Sequence, residues 1–322
     1  AAARLGQKLG KQVPLAEDCV GEPVRRVVAE MSPGDVALLE NLRFHKGETK
    51  GDRELAEQLA APADLYVNDA FGAAHRAHAS VSVVPEILGG GAAGFLMDKE
   101  IRALGHLVEK PERPYVAMLG GAKVSDKIEL IEKLLERVDA ILIGGAMAYT
   151  FLAARGMGVG SSKIEEDRLD LARTLEKRAG EQGVSIYLPE DHLVADGIEG
   201  RTPSHLQTHD GQEIPEGKLG LDVGPKTLEA FGARLGPDVK TVLWNGPVGF
   251  FEASGCDRGT RELAEHIAGM SAFSVLGGGD TAAAAHEFGL EDRFSHVSTG
   301  GGAALELLSG IDLPGIAALR IG

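Results

Sequence analysis

The 322-residue chain is 43% hydrophobic and 25% charged, the balance of a soluble globular protein, and its length favours two domains over one. A net charge of −15, from 33 basic against 48 acidic residues, argues against a basic-patch binder of nucleic acid or of anionic membranes. The only two cysteines, Cys19 and Cys256, lie far apart without CxxC spacing, which argues against a disulfide framework or a zinc site and fits a reducing cytoplasm.

The chain opens in mid-pattern: Ala1 is not a methionine and residues 1–9 already read as a helix, so the N-terminus is expected to be cut. The start carries no cleavable signal pattern, and no run is long and apolar enough to span a membrane. Residues 23–30 form a second helix with proline in its first turn. Residues 35–39 read as a buried strand running into 40–48; residues 53–59 are helical; residues 65–67 are a strand leading into 68–78. Such alternation predicts a parallel α/β sheet, whose ligands bind beyond the carboxyl ends of the strands. Arg43, His75, Arg76 and His78 fall just past those ends, where an anion would be held. The plainer reading is solvated arginines, with His45 capping a turn, but the concentration of cationic donors in His75-Arg76-Ala77-His78 needs a reason in an acidic protein. Residues 94–108 give one helix at helical spacing, which Pro111 and Pro114 end. It is the expected connection between domains.

The second half repeats one local plan, a short apolar strand followed by glycine. Strand 115–119 runs into Gly120 and Gly121, then Lys123, Lys127 and a helix over 127–137; strand 140–143 runs into Gly144 and Gly145 and a helix over 146–154. Strands 185–189, 220–223, 241–244, 274–276 and 296–298 follow, the last three meeting Asn245-Gly246-Pro247, Gly277-Gly278-Gly279-Asp280-Thr281 and Gly300-Gly301-Gly302. A parallel sheet with these turns on one edge is a nucleotide platform. In the 274–285 stretch, strand, glycine turn and helix start make a phosphate-binding geometry of free amides and a helix dipole. Asp280 is open to two readings, a helix cap or a ligand to a divalent metal, and Thr281 can donate a hydroxyl to a phosphate oxygen. Two lysines at a helix start oppose the dipole, which a bound anion would explain. Trp244 is most simply core. Residues 224–227 lack the first glycine of a P-loop, and 156–160 have the wrong spacing for GxGxxG, so a P-loop enzyme and a dinucleotide dehydrogenase are both disfavoured.

Six long segments then carry a resemblance: LLENLRFHKGE (38–48), VNDAFGAAHRAHAS (67–80), GGAKVSDKI (120–128), WNGPVGFFE (244–252), GGGDTAAA (277–284) and HVSTGGGA (296–303). In this order they resemble the phosphoglycerate kinase family. The resemblance implies an α/β protein of two parallel-sheet, three-layer, Rossmann-like domains joined by a hinge helix. Residues 1–93 would bind phosphoglycerate, 94–110 form the interdomain helix, 111–310 bind nucleotide, and 311–322 return as a tail to the first domain. It implies a cytoplasmic, monomeric enzyme of glycolysis whose partners are small molecules. The reaction would be Mg2+-dependent phosphoryl transfer from 1,3-bisphosphoglycerate to ADP, giving 3-phosphoglycerate and ATP.

Roles follow by resemblance. Asp280 would hold the metal, and Thr281 with the amides of Gly278 and Gly279 would hold phosphate. Glu252 would bind ribose, Asn245 would lie near the phosphates, and Gly144, Gly145, Gly220, Leu221 and Pro247 would flank adenine. Gly121 belongs to the same nucleotide set. Lys123 would act on the transferring phosphoryl group, Lys127 on the nucleotide phosphates, and Gly279 and Gly302 on transition-state charge. Arg43, His75 and Arg76 would form the phosphoglycerate patch. The family's opening segment, with its D-x-N strand, further arginines and S-H-L-G-R-P motif, has no counterpart here. The alternative is therefore a nucleotide-binding fragment without turnover.

Overall fold

The computed structural model describes residues 1–320. They form two compact units, residues 1–99 with the stretch from Asp312 onward, and residues 100–311. The division falls inside one uninterrupted helix, Phe95–Glu109.

The larger unit is built on six parallel strands: β1 (Tyr115–Leu119), β2 (Ala140–Ile143), β3 (Ser185–Tyr187), β4 (Thr241–Asn245), β5 (Phe273–Gly277) and β6 (His296–Val297). Their spatial order is β6-β5-β4-β1-β2-β3. β1 and β4 are buried at every position, which is why both read as unbroken runs rather than alternating ones. Trp244, Met118, Leu142 and Leu276 lie in the core beside the sheet. The helix Ile128–Leu135 buries Leu130, Ile131, Leu134 and Leu135, each worth about 1.5–3 kcal/mol of transfer free energy.

The chain lays down β1 to β3 on one side and β4 to β6 on the other, so its direction of winding reverses between β1 and β4. Ligands of such sheets bind beyond the strand ends at that reversal. Register pairs Leu119 with Asn245 and Asn245 with Gly277, so three neighbouring strands end level. The turns that follow therefore emerge side by side.

One expected member of this edge lies elsewhere. The strand at 220–223 is Leu219–Val223, paired antiparallel with His192–Ala195 in a separate three-stranded sheet completed by Gln207–His209. A glycine exit marks a tight turn in either kind of sheet, so the local sequence did not distinguish them.

The smaller unit holds the helices Glu22–Ala29 and Arg53–Ala60, the second of which brings Leu55, Ala56 and Ala60 to a modest core with Val20, Ala79 and Val84. Its pairing among the described residues is a parallel ladder of Val67–Asn68 with Ala92–Ala93 and a parallel bridge between Leu15 and Leu38. Residues 35–39 thus contribute one bridge, not the expected strand, because only Leu38 meets a neighbouring backbone in ladder geometry. The C-terminal helix Pro314–Ala317 docks in this unit, where the Gly315 amide donates to the Ala74 carbonyl at 2.8 Å. The α/β class and the division into two units are as expected, and the layered parallel sheet is most fully developed in the larger one. No helix among the described residues is long and apolar enough to cross a membrane.

Candidate active site

At the end of β5, Gly278 takes φ +90°, a conformation that favours glycine, and serves as N-cap of the helix Gly279–Glu287 without a side-chain bond. Asp280 is therefore not the cap. It is exposed in the first helical turn and forms no hydrogen bond or ion pair among the described residues. The first bond of this helix runs from the Ala282 amide to the Gly278 carbonyl, so the amides of Gly279, Asp280 and Thr281 precede the ladder. Thr281 is fully buried, and its hydroxyl accepts the Gly246 amide at 2.6 Å, tying this helix to the end of β4.

Asn245 ends β4 and is only 1% exposed. Its Oδ1 accepts a hydrogen bond from Lys127 Nζ, while its Nδ2 has no partner among the described residues. Nδ2 lies against the glycine turn, 3.0 Å and 3.3 Å from where a Cβ would stand on Gly277 and Gly278. Leaving a buried amide donor unmade costs about 1–3 kcal/mol, so its survival here points to something that accepts from it.

The glycines ending β1 and β2 do different work. The amides of Gly120 and Gly121 donate to the carbonyls of Asn245 (3.0 Å) and Pro247 (2.9 Å), and those of Gly144 and Gly145 to Leu119 (2.8 Å) and Val248 (2.7 Å). A Cβ on Gly120 would stand 2.0 Å from the Pro247 carbonyl oxygen, and one on Gly145 2.6 Å from the Gly121 nitrogen. Their missing side chains let three strand ends touch backbone to backbone, and these four amides are already engaged. Gly220 and Leu221, though on the other sheet, belong to the same neighbourhood. The Phe250 amide donates to the Leu221 carbonyl at 2.7 Å, and a Cβ on Gly220 would strike Tyr149 Oη of the helix Met147–Ala154 at 2.1 Å. Pro247 is buried and Glu252 half-buried on the loop between them.

Lys123 is exposed after the β1 turn, and Lys127 is half-buried one helical turn on. Burial pushes the Lys127 ammonium down to about 8, with Asp126 and Asp280 only partly restoring it. Near Lys123 the protein itself supplies a carboxylate. Glu165 Oε2 accepts the amides of Val124 (2.5 Å) and Ser125 (3.1 Å), and Oε1 accepts the Ser125 hydroxyl (2.5 Å). Burial opposes its charge, but the Ser125 hydroxyl, the two amides and nearby Lys123 outweigh it and lower its pKa. Glu165 escaped the sequence reading. It lies forty-one residues beyond Val124 in an irregular segment, where no periodicity or motif marks it.

After β6, Gly301 is the N-cap of the short helix Gly302–Leu308, again without a side-chain bond. This loop is held by a buried pair that sequence reading also missed. Glu100 accepts from His296 Nε2 at 2.8 Å and from the Thr299 amide at 2.9 Å. Burial works against the Glu100 carboxylate, yet the bonds from His296, Ser298 and Thr299 prevail and keep its pKa low.

In the smaller unit, Arg43 sits exposed on the turn Leu42–Phe44, whose start Asn41 fixes by accepting the Arg43 amide at 3.0 Å. Arg76 is exposed, and His75 is half-buried, its Nδ1 buried and without a partner among the described residues. His78 is withdrawn from the patch, buried 3.6 Å from the Glu48 carboxylate. His45 does not merely cap a turn, since its Nε2 meets Asp18 Oδ1 at 2.6 Å. Asp18, Cys19 and His45 lie close enough to suggest a metal centre. Asp18 Oδ1 is, however, already engaged by His45 and the Cys19 amide, and burial pushes the Cys19 thiol up to about 11, so the group reads as an internally bonded cluster.

Comparison with known proteins gives a consistent picture. Residues 1–311 match the family model described as phosphoglycerate kinase. The chain is 51% identical over 321 residues to the phosphoglycerate kinase of Acaryochloris marina, covering 99% of this chain and 79% of that protein. It is 52% identical over 321 residues to that of Clostridium perfringens, covering 99% and 80%. Among solved structures, the phosphoglycerate kinase of Coxiella burnetii superposes with a TM-score of 0.90 at 41% identity, covering all of this chain and 80% of that one. That of Pyrococcus horikoshii gives 0.84 at 32% identity, covering 99% and 81%. The chain thus spans about four-fifths of the length of these relatives.

Proposed function

The chain belongs to the phosphoglycerate kinase family, and from that premise we propose how its residues divide the work of phosphoryl transfer. The protein is a glycolytic kinase that moves a phosphoryl group reversibly between 1,3-bisphosphoglycerate and ADP. Because the likeness runs through nearly the whole chain, the reading as a nucleotide-binding fragment without turnover is not favoured.

Residues 111–310 take the nucleotide, residues 1–93 take phosphoglycerate, the 94–110 helix is the hinge, and the tail from 311 belongs with the first domain. The phosphate chain lies over the level ends of β1, β4 and β5. The amides of Gly278 and Gly279 donate to it, as does Asn245 Nδ2, and Lys127 adds its charge. Thr281 supports this turn by holding Gly246. The backbone of Gly121, Gly144, Gly145 and Pro247 forms the floor towards adenine, Gly220 and Leu221 a wall, and Glu252 holds the ribose. Asp280, exposed and not used as a cap, suits a Mg2+ ligand. When bound, Mg2+ neutralises charge on the phosphate oxygens.

The acceptor in the reverse direction is a carboxylate, already ionised at neutral pH, so no general base is required. What the protein must supply is alignment and charge. Lys123, exposed on a flexible stem, follows the phosphoryl group as a mobile cation, and the helix starts at Gly279 and Gly302 add fixed dipoles. Arg43, His75 and Arg76 anchor the phosphoglycerate. The enzyme is read as a cytoplasmic monomer acting on small molecules, with neither nucleic acid nor membrane as a partner.

The observation that carries this reading is the buried, unpartnered Nδ2 of Asn245 beside an uncapped glycine turn. Two substitutions test it. Asp280→Ala is expected to weaken ADP binding by ~10-fold or more with Mg2+ and little without it, as calorimetry would read. Equal loss in both conditions would remove Asp280 from the metal. Lys123→Ala is expected to slow turnover by about two to three orders of magnitude while changing nucleotide affinity by only a few-fold, as expected of a group acting mainly in the transition state. Near-normal turnover would remove Lys123 from that role.

A further inference from the structure

Glu165 takes no part in the roles proposed above, yet three of its contacts converge on the segment between the two lysines. Its carboxylate gathers the Val124 amide, the Ser125 amide and the Ser125 hydroxyl. These residues open the helical turn Ser125–Lys127 and the helix Ile128–Leu135, so Glu165 satisfies two amides that the helix start cannot pair internally. The turn has no side-chain cap of its own, and the carboxylate arrives from another part of the chain. Glu165 is itself anchored, because its amide donates to Thr150 Oγ1 at 3.1 Å, and Thr150 is buried in the helix Met147–Ala154.

The arrangement fixes backbone and leaves side chains free. Lys123 immediately precedes the clamped amides and remains exposed, and Lys127 follows them by two residues and reaches Asn245. A lysine that tracks a moving phosphoryl group needs a mobile stem on an immobile root, since small misplacements of a charge are costly in rate. Glu165 also spends the Val124 and Ser125 amides, so this helix start cannot act as a phosphate cradle of the kind formed at Gly279. That leaves contact with phosphate here to the lysine side chains.

The geometry points to Glu165 as a positioning residue for phosphoryl transfer, acting through the backbone that roots Lys123. The inference rests on the role proposed for Lys123, and the experiment separates the two. Steady-state kinetics would compare Glu165→Ala, Glu165→Gln, Lys123→Ala and the double variant Glu165→Ala/Lys123→Ala, with circular dichroism and melting confirming that each is folded. Glu165→Ala is expected to lower kcat by ~10- to 100-fold with KM for nucleotide changed less than ~3-fold. Glu165→Gln keeps an oxygen for both amides and is expected to recover kcat to within ~5-fold of the parent. In the Lys123→Ala background, adding Glu165→Ala is expected to cost little more, because the residue whose position it sets is gone.

Near-normal kcat in Glu165→Ala overturns the proposal, and so does a full additional loss in the double variant. A Gln variant as slow as the Ala variant also overturns it, since the charge rather than the hydrogen-bonded root would then be at work. If Lys123→Ala alone is unimpaired, the role of Lys123 fails, whatever Glu165 does. Should Glu165→Ala not fold, Glu165→Asp, one methylene short of the amides, replaces it in the single and double variants with the same outcomes.

Discussion

Lys127 illustrates how burial prepares a residue for a ligand. Taking its ammonium from water favours the neutral amine and brings its pKa down to about 8. A bound phosphate would favour the charged form and raise it again. Above about pH 8 the free protein has lost this proton, so on the role proposed for Lys127 nucleotide binding there takes one up. Affinity for Mg-ADP is expected to fall with pH above about 8, by at most ~10-fold per unit. Calorimetry at pH 9 in two buffers of different ionisation enthalpy should read the proton uptake, and Lys127→Met should abolish it. The sign for stability is the reverse. Between about pH 8 and the unfolded value of 10.5 the unfolded chain holds more protons, so this group's contribution to stability rises with pH through that window. The identity of Lys127 was legible from its family-like motif, but its perturbed state was not, since no sequence pattern reports how deeply a lysine stem is buried.

Among the elements, the strand ends are the site's least substitutable part. Adding one methyl group at Gly120 would drive a Cβ to 2.0 Å from the Pro247 carbonyl oxygen, a backbone atom that cannot rotate aside. Gly120→Ala is expected to destabilise the protein by about 3 kcal/mol, toward the upper end for overpacked cores, and to weaken ADP binding with it. Gly105, inside the helix Phe95–Glu109, has nothing within 4 Å of a Cβ, so Gly105→Ala is expected to gain about 0.5–1 kcal/mol. Urea unfolding of both variants would read the contrast. Tyr115–Leu119 and Ala140–Ile143 were legible to the residue, because a parallel strand covered on both faces is an apolar run closed by glycine. The sheet to which Leu219–Val223 belongs was not, since its partner His192–Ala195 is chosen by tertiary packing. Nor was the engagement of the Gly121, Gly144 and Gly145 amides, which depends on carbonyls at Pro247, Leu119 and Val248. Sequence marked these as glycines near a nucleotide without saying whether they offer amides or space.

At the scale of the whole molecule, the division into two units bears on how ligands act. Mg-ADP at ~100 times its Kd adds about 2.7 kcal/mol to whichever unit must be folded to bind it. That stabilisation is expected to fall on residues 100–311. Hydrogen exchange with saturating Mg-ADP should slow at the 277–281 and 245–248 amides and change little across residues 1–99. Equal protection in both units would contradict the assignment of nucleotide to the larger one. The two-unit plan was legible from length, the 94–108 helix and its prolines. The sparse pairing of residues 35–39 was not, because an apolar run records only its wish to be buried.

The backbone contact that joins Gly121, Gly145 and Pro247 has a consequence in time as well as in space. Gly121 and Gly145 follow successive strands, but Pro247 comes far later in the chain, so its contact with them closes a long loop. The floor proposed for the nucleotide therefore cannot exist in any partly folded chain that has docked only its neighbouring β-α pairs. That floor is completed only when the segment at Pro247 arrives, so on the proposed assignment a newly made chain gains its full affinity for nucleotide after Pro247 has docked on the ends of β1 and β2.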